Sequence, residues 1–233
     1  MEEMREGAVT LIDILGWKGI WQRKQNAIDD ILKLINVAEH EAKKALTRET
    51  LKSEQVNVFK DLRNEFRSIS DTIVMFTFGE CNIALEFQAA LASIIICQSF
   101  IQGIPVRGAT CYGKFSAKGS IMVGPAIDEV ASWYETCDWI GVTQTPSALF
   151  RCEPQKFVMG EILIPYKVSI KNYGTFETLC VNWPFMWKAA KHKRSEIIDS
   201  FLLMQPITPD ISVKLLNTLN FYQYITDQRN NLK

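Results

Sequence analysis

The order of predicted elements points to an α+β fold of the ferredoxin-like kind, β-α-β-β-α-β, an antiparallel sheet with its helices on one face. Three observations carry this. Residues 8–15 form an apolar run that reads as a buried strand and leads into a long helical pattern. The β-type runs Phe66–Ile69 and Thr72–Phe78 are separated only by Ser70-Asp71, which makes them a hairpin. An apolar helix from Cys81 to Gln102 follows, ended by Gly103 and Pro105. A doubly wound parallel sheet fits less well, because the hairpin within 63–78 is too short for a crossover connection.

Taken in order, the first helix spans about Trp17 to Lys44, with Ile28, Ile31, Leu32, Leu34, Ile35 and Ala38 on its apolar face. Leu51 to Asp61 reads as a shorter helix or an irregular connection. Val106 to Tyr112 is a strand. Met122-Val123-Gly124-Pro125 ends a strand and starts a helix over Ala126–Thr136, with Pro125 in the first turn, where its missing N–H costs least. A strand near Trp139–Val142 and another at Phe157–Tyr166 follow. Arg194 to Met204 and Ile211 to Gln228 read as helices, separated by Pro206 and Pro209. The expected organisation is a main domain over 1–168 and a C-terminal extension, 169–233, packed on it. There are no internal repeats and no low-complexity linker.

The 233 residues are 47% hydrophobic, enough for one substantial core. Lys+Arg and Asp+Glu both number 26, so bulk charge gives no reason to expect a nucleic-acid partner. Met1 to Gly7 is charged and does not read as a signal peptide. The apolar stretch Ala89–Cys97 is too short to span a bilayer, so no membrane role is expected. Six cysteines without C-x-x-C spacing read as reduced core residues of a cytoplasmic protein rather than a zinc site. His40 and His192 lie in charged helical segments and read as solvated.

Two carboxylates stand out. Asp13 lies in Ala8-Val9-Thr10-Leu11-Ile12-Asp13-Ile14-Leu15-Gly16-Trp17, and Asp71 in Arg67-Ser68-Ile69-Ser70-Asp71-Thr72-Ile73-Val74-Met75-Phe76. Each interrupts a strand-like apolar run, where an uncompensated charge is costly. Two such groups on neighbouring strands suit a pair of divalent cations and a triphosphate. Leu15, Gly16 and Trp17, at the start of the following helix, offer backbone N–H groups to phosphate oxygens, and Gly16 permits close approach.

Four segments together resemble class III nucleotide cyclases. Val9-Thr10-Leu11-Ile12-Asp13-Ile14-Leu15-Gly16-Trp17 looks like that family's first strand and metal-binding turn. Ser68-Ile69-Ser70-Asp71-Thr72-Ile73-Val74 looks like its hairpin with the second metal ligand. Val106-Arg107-Gly108-Ala109-Thr110-Cys111-Tyr112-Gly113 is similar to the next strand, and Val123-Gly124-Pro125-Ala126-Ile127-Asp128-Glu129-Val130-Ala131-Ser132 to its Gly-x-x-Val-Asn-x-Ala-x-Arg stretch. The resemblance covers roughly 8–145. It implies a cyclase catalytic domain with extra C-terminal strand and helices. It also implies two Mn²⁺ or Mg²⁺ ions per site, held by Asp13, Asp71 and the Ile14 carbonyl, and a head-to-tail homodimer with composite sites.

The departures from the family pattern define the expected substrate. Asp128 and Ser132 stand where the family has the ribose-positioning Asn and the transition-state Arg. Arg107, Lys114 and Lys118 are candidates to replace that Arg. Arg67 stands at the base-reading position that is Lys in adenylyl and Glu in guanylyl cyclases, and Ile121 at the second one. Arg67 offers only donors, which suits the carbonyl oxygens of a pyrimidine, UTP rather than CTP. Loss of the purine determinants resembles the pyrimidine cyclases of bacterial Pycsar antiphage systems, which implies a second-messenger synthase and a separate cyclic-nucleotide-gated effector that the enzyme does not contact. Trp133, Tyr134, Trp183, Phe185 and Trp187 supply aromatic material for core or interface. The competing expectation is a catalytically inactive cyclase-like domain that binds a nucleotide or a partner. A diguanylate-cyclase-like enzyme fits less well, because the Gly-Gly-Asp/Glu-Glu-Phe signature is absent.

Overall fold

A computed structural model describes residues 4–16, 20–22, 24–47, 59, 61–119, 121–204 and 206–231. The expected β-α-β-β-α-β core is present. Strand β1 (Arg5–Ile14) leads to helix α1 (Ala27–Thr47), the hairpin β2 (Arg63–Ile69) and β3 (Thr72–Phe78), helix α2 (Cys81–Gln102) and strand β4 (Val106–Lys118). Then come β5 (Ile121–Val123), α3 (Pro125–Trp133), β6 (Gly141–Gln144), α4 (Pro146–Arg151), β7 (Leu163–Ile170), β8 (Gly174–Val181), α5 (Trp183–Ala189), α6 (Arg194–Leu202) and α7 (Pro209–Asn231). The sheet order is β2-β3-β1-β4-β6-β8-β7, with β5 paired to β4. Only β4 and β6 run parallel; the other pairs are antiparallel.

β1 is buried on both faces, which is why its sequence is a continuous apolar run. Ala8, Ile12 and Ile14 enter the larger core with α1 and α2, while Val9 and Leu11 enter a second cluster on the opposite face with Val74, Phe76, Cys111, Phe115, Ala126 and Val130. Ala126 and Val130 belong to α3, so the helices cover both faces of the sheet rather than one. By the alternation of a strand, Asp13 shares its face with Val9 and Leu11, the α3 face.

α2 is the central helix. It passes a membrane-span criterion by length and composition, yet 78% of its most apolar window is buried inside the protein. Its ends are fixed: the Glu80 side chain accepts from the Ile83 N–H, 3.0 Å, and Gly103 closes it at φ 64°. Within it, Gln88 is fully buried among strand groups. Its Nε2 lies 2.9 Å from the Ala8 carbonyl, 3.1 Å from that of Met75 and 3.2 Å from Thr77 Oγ1, and its Oε1 accepts from Thr10 Oγ1. One side chain thereby ties α2 to β1 and β3.

Several boundaries differ from those read in the sequence. α1 starts at Ala27, preceded by a 3-10 turn at Ile20–Gln22, and two residues of its expected apolar face, Ile28 and Leu32, are exposed. Trp17 and most of Leu51–Asp61 lie outside the described residues. The strand expected at 157–166 begins at Leu163. Glu86, buried on α2, accepts from the N–H groups of Val158 (3.0 Å) and Met159 (2.6 Å), so those donors are unavailable to a strand ladder. The strand expected near 139–142 is shifted to Gly141–Gln144, because Ile140 N–H bonds Thr218 Oγ1 of α7, 2.8 Å. The elements β8, α4 and α5 were not foreseen.

Residue 168, the expected domain boundary, falls inside β7, which pairs along its length with β8. α7 packs Phe221 against Trp139 and Tyr166, ring centroids 4.8 Å apart in each case. Trp183 and Trp187 are core residues, whereas Phe185 is exposed. All six cysteines are free thiols, five of them buried. His40 is exposed, but His192 stacks on Trp187 at 4.2 Å and bonds Glu196, so it is not simply solvated.

Gln88→Ala should cost about 3 kcal/mol, since it empties a packed site and removes the buried bonds to Thr10, Ala8 and Met75. A urea midpoint unchanged from the parent protein would contradict that assignment.

Candidate active site

Asp13 is the next-to-last residue of β1. Antiparallel pairing sets it opposite Thr72 of β3 and Arg107 of β4. Asp71 sits in the tight β2–β3 turn, next to Thr72, with Ser70 at φ 56°. The hairpin and the strand register thus deliver both expected carboxylates to one end of the sheet. Asp13 is 8% exposed and Arg107 7%.

Arg107 dominates Asp13's surroundings. Its Nη2 and Nε lie 3.3 and 3.4 Å from Asp13 Oδ2, and its Nη1 donates to the Glu135 carbonyl at 2.9 Å. The Glu135 carboxylate lies 3.6 Å from Arg107 Nη2. Burial nevertheless wins: it pushes the Asp13 carboxyl up to about 6, Arg107 offsets part of that, and the charges of Glu135 and Asp71 add to the rise. Lys171 completes the group, donating to the same Glu135 carbonyl at 2.9 Å; burial and the nearby Arg107 and Lys214 charges lower its proton affinity.

Arg107 is therefore an ion-pair partner of Asp13, rather than a free cation aimed at a phosphate. Lys114 is exposed seven residues further along β4, roughly 23 Å away at the rise of a strand, and Lys118 lies further on towards the β4–β5 turn. Neither stands beside Asp13 in the same protomer. Asp128 is exposed in the first turns of α3 and does not join this cluster; its carbonyl accepts from Ser132 Oγ, 2.8 Å. Arg67 lies over the Phe76 ring, 5.2 Å to the centroid, and its guanidinium donates to the Gly119 carbonyl in the β4–β5 turn and lies 3.4 Å from Glu65. Ile121, two residues beyond Gly119, is 69% exposed. Arg67 thus reaches the β4–β5 turn, two residues before Ile121.

The phosphate-binding expectation at 15–17 is corrected in part. The Leu15 N–H is spent on the Pro105 carbonyl, 2.8 Å, and Leu15–Gly16 form a turn, with Gly16 at φ 72°, instead of the start of a helix. Glu135 and Lys171 were missed. Nothing in their local sequence marks them, because α3 and the β7–β8 hairpin meet Asp13 only in the folded chain.

Among the described residues no three His, Cys, Asp or Glu side chains gather as a ready-made metal cage. The donor set does fit hard divalent cations that keep phosphate or water ligands: Asp13 and Asp71 supply carboxylate oxygen and Ile14 a carbonyl, and a cation would offset the burial, and the lesser Glu135 and Asp71 charges, that raise Asp13.

No protein-family model matches the chain, and no curated protein matches it. Solved structures do. A bacterial light-regulated adenylyl cyclase superposes with a TM-score of 0.50 at 11% identity, over 87% of this chain and 57% of that one. The catalytic core of a rhodopsin-guanylyl cyclase with converted specificity, in complex with ATPαS, gives 0.48 at 13% identity, over 76% of this chain and 95% of that one. Adenylate cyclases of Trypanosoma brucei in their monomeric state give 0.49 at 9% identity, over 76% and 90%. The fold is that of a class III cyclase catalytic domain.

Replacing Arg107 by Ala leaves a buried Asp13 without its counter-charge and should destabilise the metal-free protein by about 2–4 kcal/mol near neutral pH. The sign of the pH effect follows from Asp13's raised pKa. Below about 6 the carboxyl is neutral in the native state and needs no partner, so the deficit shrinks as pH falls through that value and grows as pH rises above it. Thermal melts from pH 5 to 8 in chelator would expose a pH-independent deficit, which contradicts the pairing.

Proposed function

We propose that this chain is a nucleotide cyclase: it converts a ribonucleoside triphosphate to the 3′,5′-cyclic nucleotide and diphosphate. The observation that carries the reading is the buried Asp13 at the end of β1, held at about 6 and crowded by Asp71 on a fold shared with class III cyclases. In the reaction the ribose 3′-oxygen attacks the α-phosphate and diphosphate leaves. Asp13, Asp71 and the Ile14 carbonyl would hold two Mn²⁺ or Mg²⁺ ions. When bound, such ions acidify the 3′-hydroxyl and neutralise the leaving phosphates. Arg107 acts as a positioning residue: its bonds to Asp13 and to the Glu135 carbonyl fix the carboxylate at the sheet end. The aliphatic and aromatic packing of the α3 face keeps water from behind Asp13.

The finer reading is a pyrimidine triphosphate, UTP ahead of CTP. It is supported by Arg67 and Ile121 at the positions where purine cyclases carry other residues, and by the Arg67 bond to the β4–β5 turn two residues before Ile121. With it go a homodimer with composite sites and a second-messenger role in antiphage defence, with a separate effector. A cytoplasmic location is consistent with the six free thiols. Two observations favour a second reading, a nucleotide-binding domain without turnover: Arg107 already pairs with Asp13, and Ser132 stands where the family has its transition-state Arg.

Incubation with each of the four ribonucleoside triphosphates and Mn²⁺, with mass identification of the product, separates these. We expect a cyclic pyrimidine nucleotide from the parent protein and at least a 100-fold loss in Asp71→Asn, whose turn position leaves the core untouched. Triphosphate binding with no product from any nucleotide favours the second reading.

Assembly makes a separate forecast. Mixing an Asp13→Ala, Asp71→Ala chain with one disrupted in α3 at 128–132 should restore part of the activity, because one composite site then has two intact halves. Full activity from a monomer at micromolar concentration argues against shared sites.

A further inference from the structure

Beside the Asp13 centre lies a cavity of about 390 Å³ between the end of α3 and the β7–β8 hairpin. That falls within the size range of small-molecule pockets, about 300–1,000 Å³. Its walls include Trp133, Tyr173 and Phe176, with the hydroxyl residues Ser132, Thr136 and Thr175 between them. The Trp133 and Phe176 rings form one corner, centroids 5.0 Å apart and tilted by 52°. Tyr173 stands at the hairpin turn, 81% exposed, between two residues of left-handed backbone, Asn172 at φ 64° and Gly174 at φ 80°. Its ring is an uncovered aromatic surface at the cavity's rim.

The two walls are fixed relative to one another. Lys171 N–H bonds the Thr136 carbonyl at 2.9 Å, Asp138 N–H bonds the Ser169 carbonyl at 3.1 Å, and Cys137 bridges to Ile170. The polar groups are also oriented. Ser132 Oγ donates to the Asp128 carbonyl and Thr136 Oγ1 to the Trp133 carbonyl, 2.7 Å, so each hydroxyl keeps only acceptor capacity for a ligand. One rim adjoins Glu135 and Lys171, and through them Arg107 and Asp13.

We propose that this cavity binds a nucleobase, stacked on Tyr173 and the Trp133–Phe176 corner, with ring N–H or amino donors directed at the Ser132 and Thr136 hydroxyl oxygens. Aromatic walls accept any planar heterocycle by its face. Acceptor-only hydroxyls select one with donor edges, and Lys171 adjoining one rim offers a cation to an attached phosphate. The choice of a nucleobase among planar ligands rests on the nucleotide reading above. The occupant is a separately bound nucleotide, because the base of the substrate triphosphate falls to Arg67 and Ile121 in the reading above.

The test uses free uridine, cytidine, adenosine and guanosine as probes, titrated calorimetrically into the full chain in chelator. Without phosphates they bypass the carboxylate centre. At least one should bind, and Asp71→Asn should leave that binding intact. Tyr173→Ala should weaken it about 10-fold, and Ser132→Phe, which fills the cavity, should abolish it, with circular dichroism and melting midpoint reporting that each variant is folded. A nucleoside that changes kcat without competing with the triphosphate supports the assignment; competitive displacement of the nucleoside by the triphosphate overturns it. Failure of all four nucleosides at millimolar concentration, or binding unaffected by both variants, overturns it. Nucleoside binding without any cyclisation removes the cyclase reading and leaves the cavity assignment standing; cyclisation with variant-insensitive nucleoside binding does the reverse.

Discussion

A carboxylate and a guanidinium face each other across two central strands, Asp13 on β1 and Arg107 on β4, both buried on the α3 face. The organisation of this end of the molecule follows from that pair. Neither charge is stable there alone, because desolvation outweighs any single attraction. Arg107 therefore also recruits the Glu135 carbonyl, which anchors the segment after α3, and that same carbonyl draws in Lys171 from the β7–β8 hairpin. Two distant parts of the chain are gathered by the need to satisfy one buried cation.

The pair also sets how Asp13 titrates. A fully solvated carboxylate would remain near its ordinary value. Here burial raises it, Arg107 restrains the rise, and Glu135 and Asp71 renew it. The balance leaves a carboxyl whose charge responds to whatever approaches, which is the electrostatic setting for capturing a hard cation.

Register makes the arrangement possible. Asp13 pairs with Thr72, so the residue before Thr72 is carried to the same sheet end by the tight turn. A one-residue slip would send Asp13 to the α2 face, among Ile12's neighbours, and exchange the apolar side chains that β1 gives to the two cores. Gln88 guards against this from the other side, holding the Ala8 and Met75 carbonyls and the Thr10 and Thr77 hydroxyls in one set of bonds. The stability of the core and the geometry of the site are thus set by the same strand pairing.

Much of this was legible in the sequence where the signal is local. The hairpin around Ser70-Asp71, the apolar helix closed by Gly103, the proline at the start of α3 and the interrupted strand at Asp13 each follow from periodicity, turn chemistry or the cost of a buried charge. What depends on contacts distant in sequence was not legible. The loop at 157–162 is held by Glu86 on a helix some 70 residues earlier, α3 crosses to the second face of the sheet, and the role of Arg107 was set by Asp13, Glu135 and the strand register together. By itself, then, the sequence determined which segments are strands and helices in the core, and marked Asp13 as a carboxylate too costly there to be incidental, whereas Asp71 lies half-buried in the hairpin turn. Only the tertiary structure decided what surrounds them, because burial and counter-charges come from side chains that local pattern does not connect.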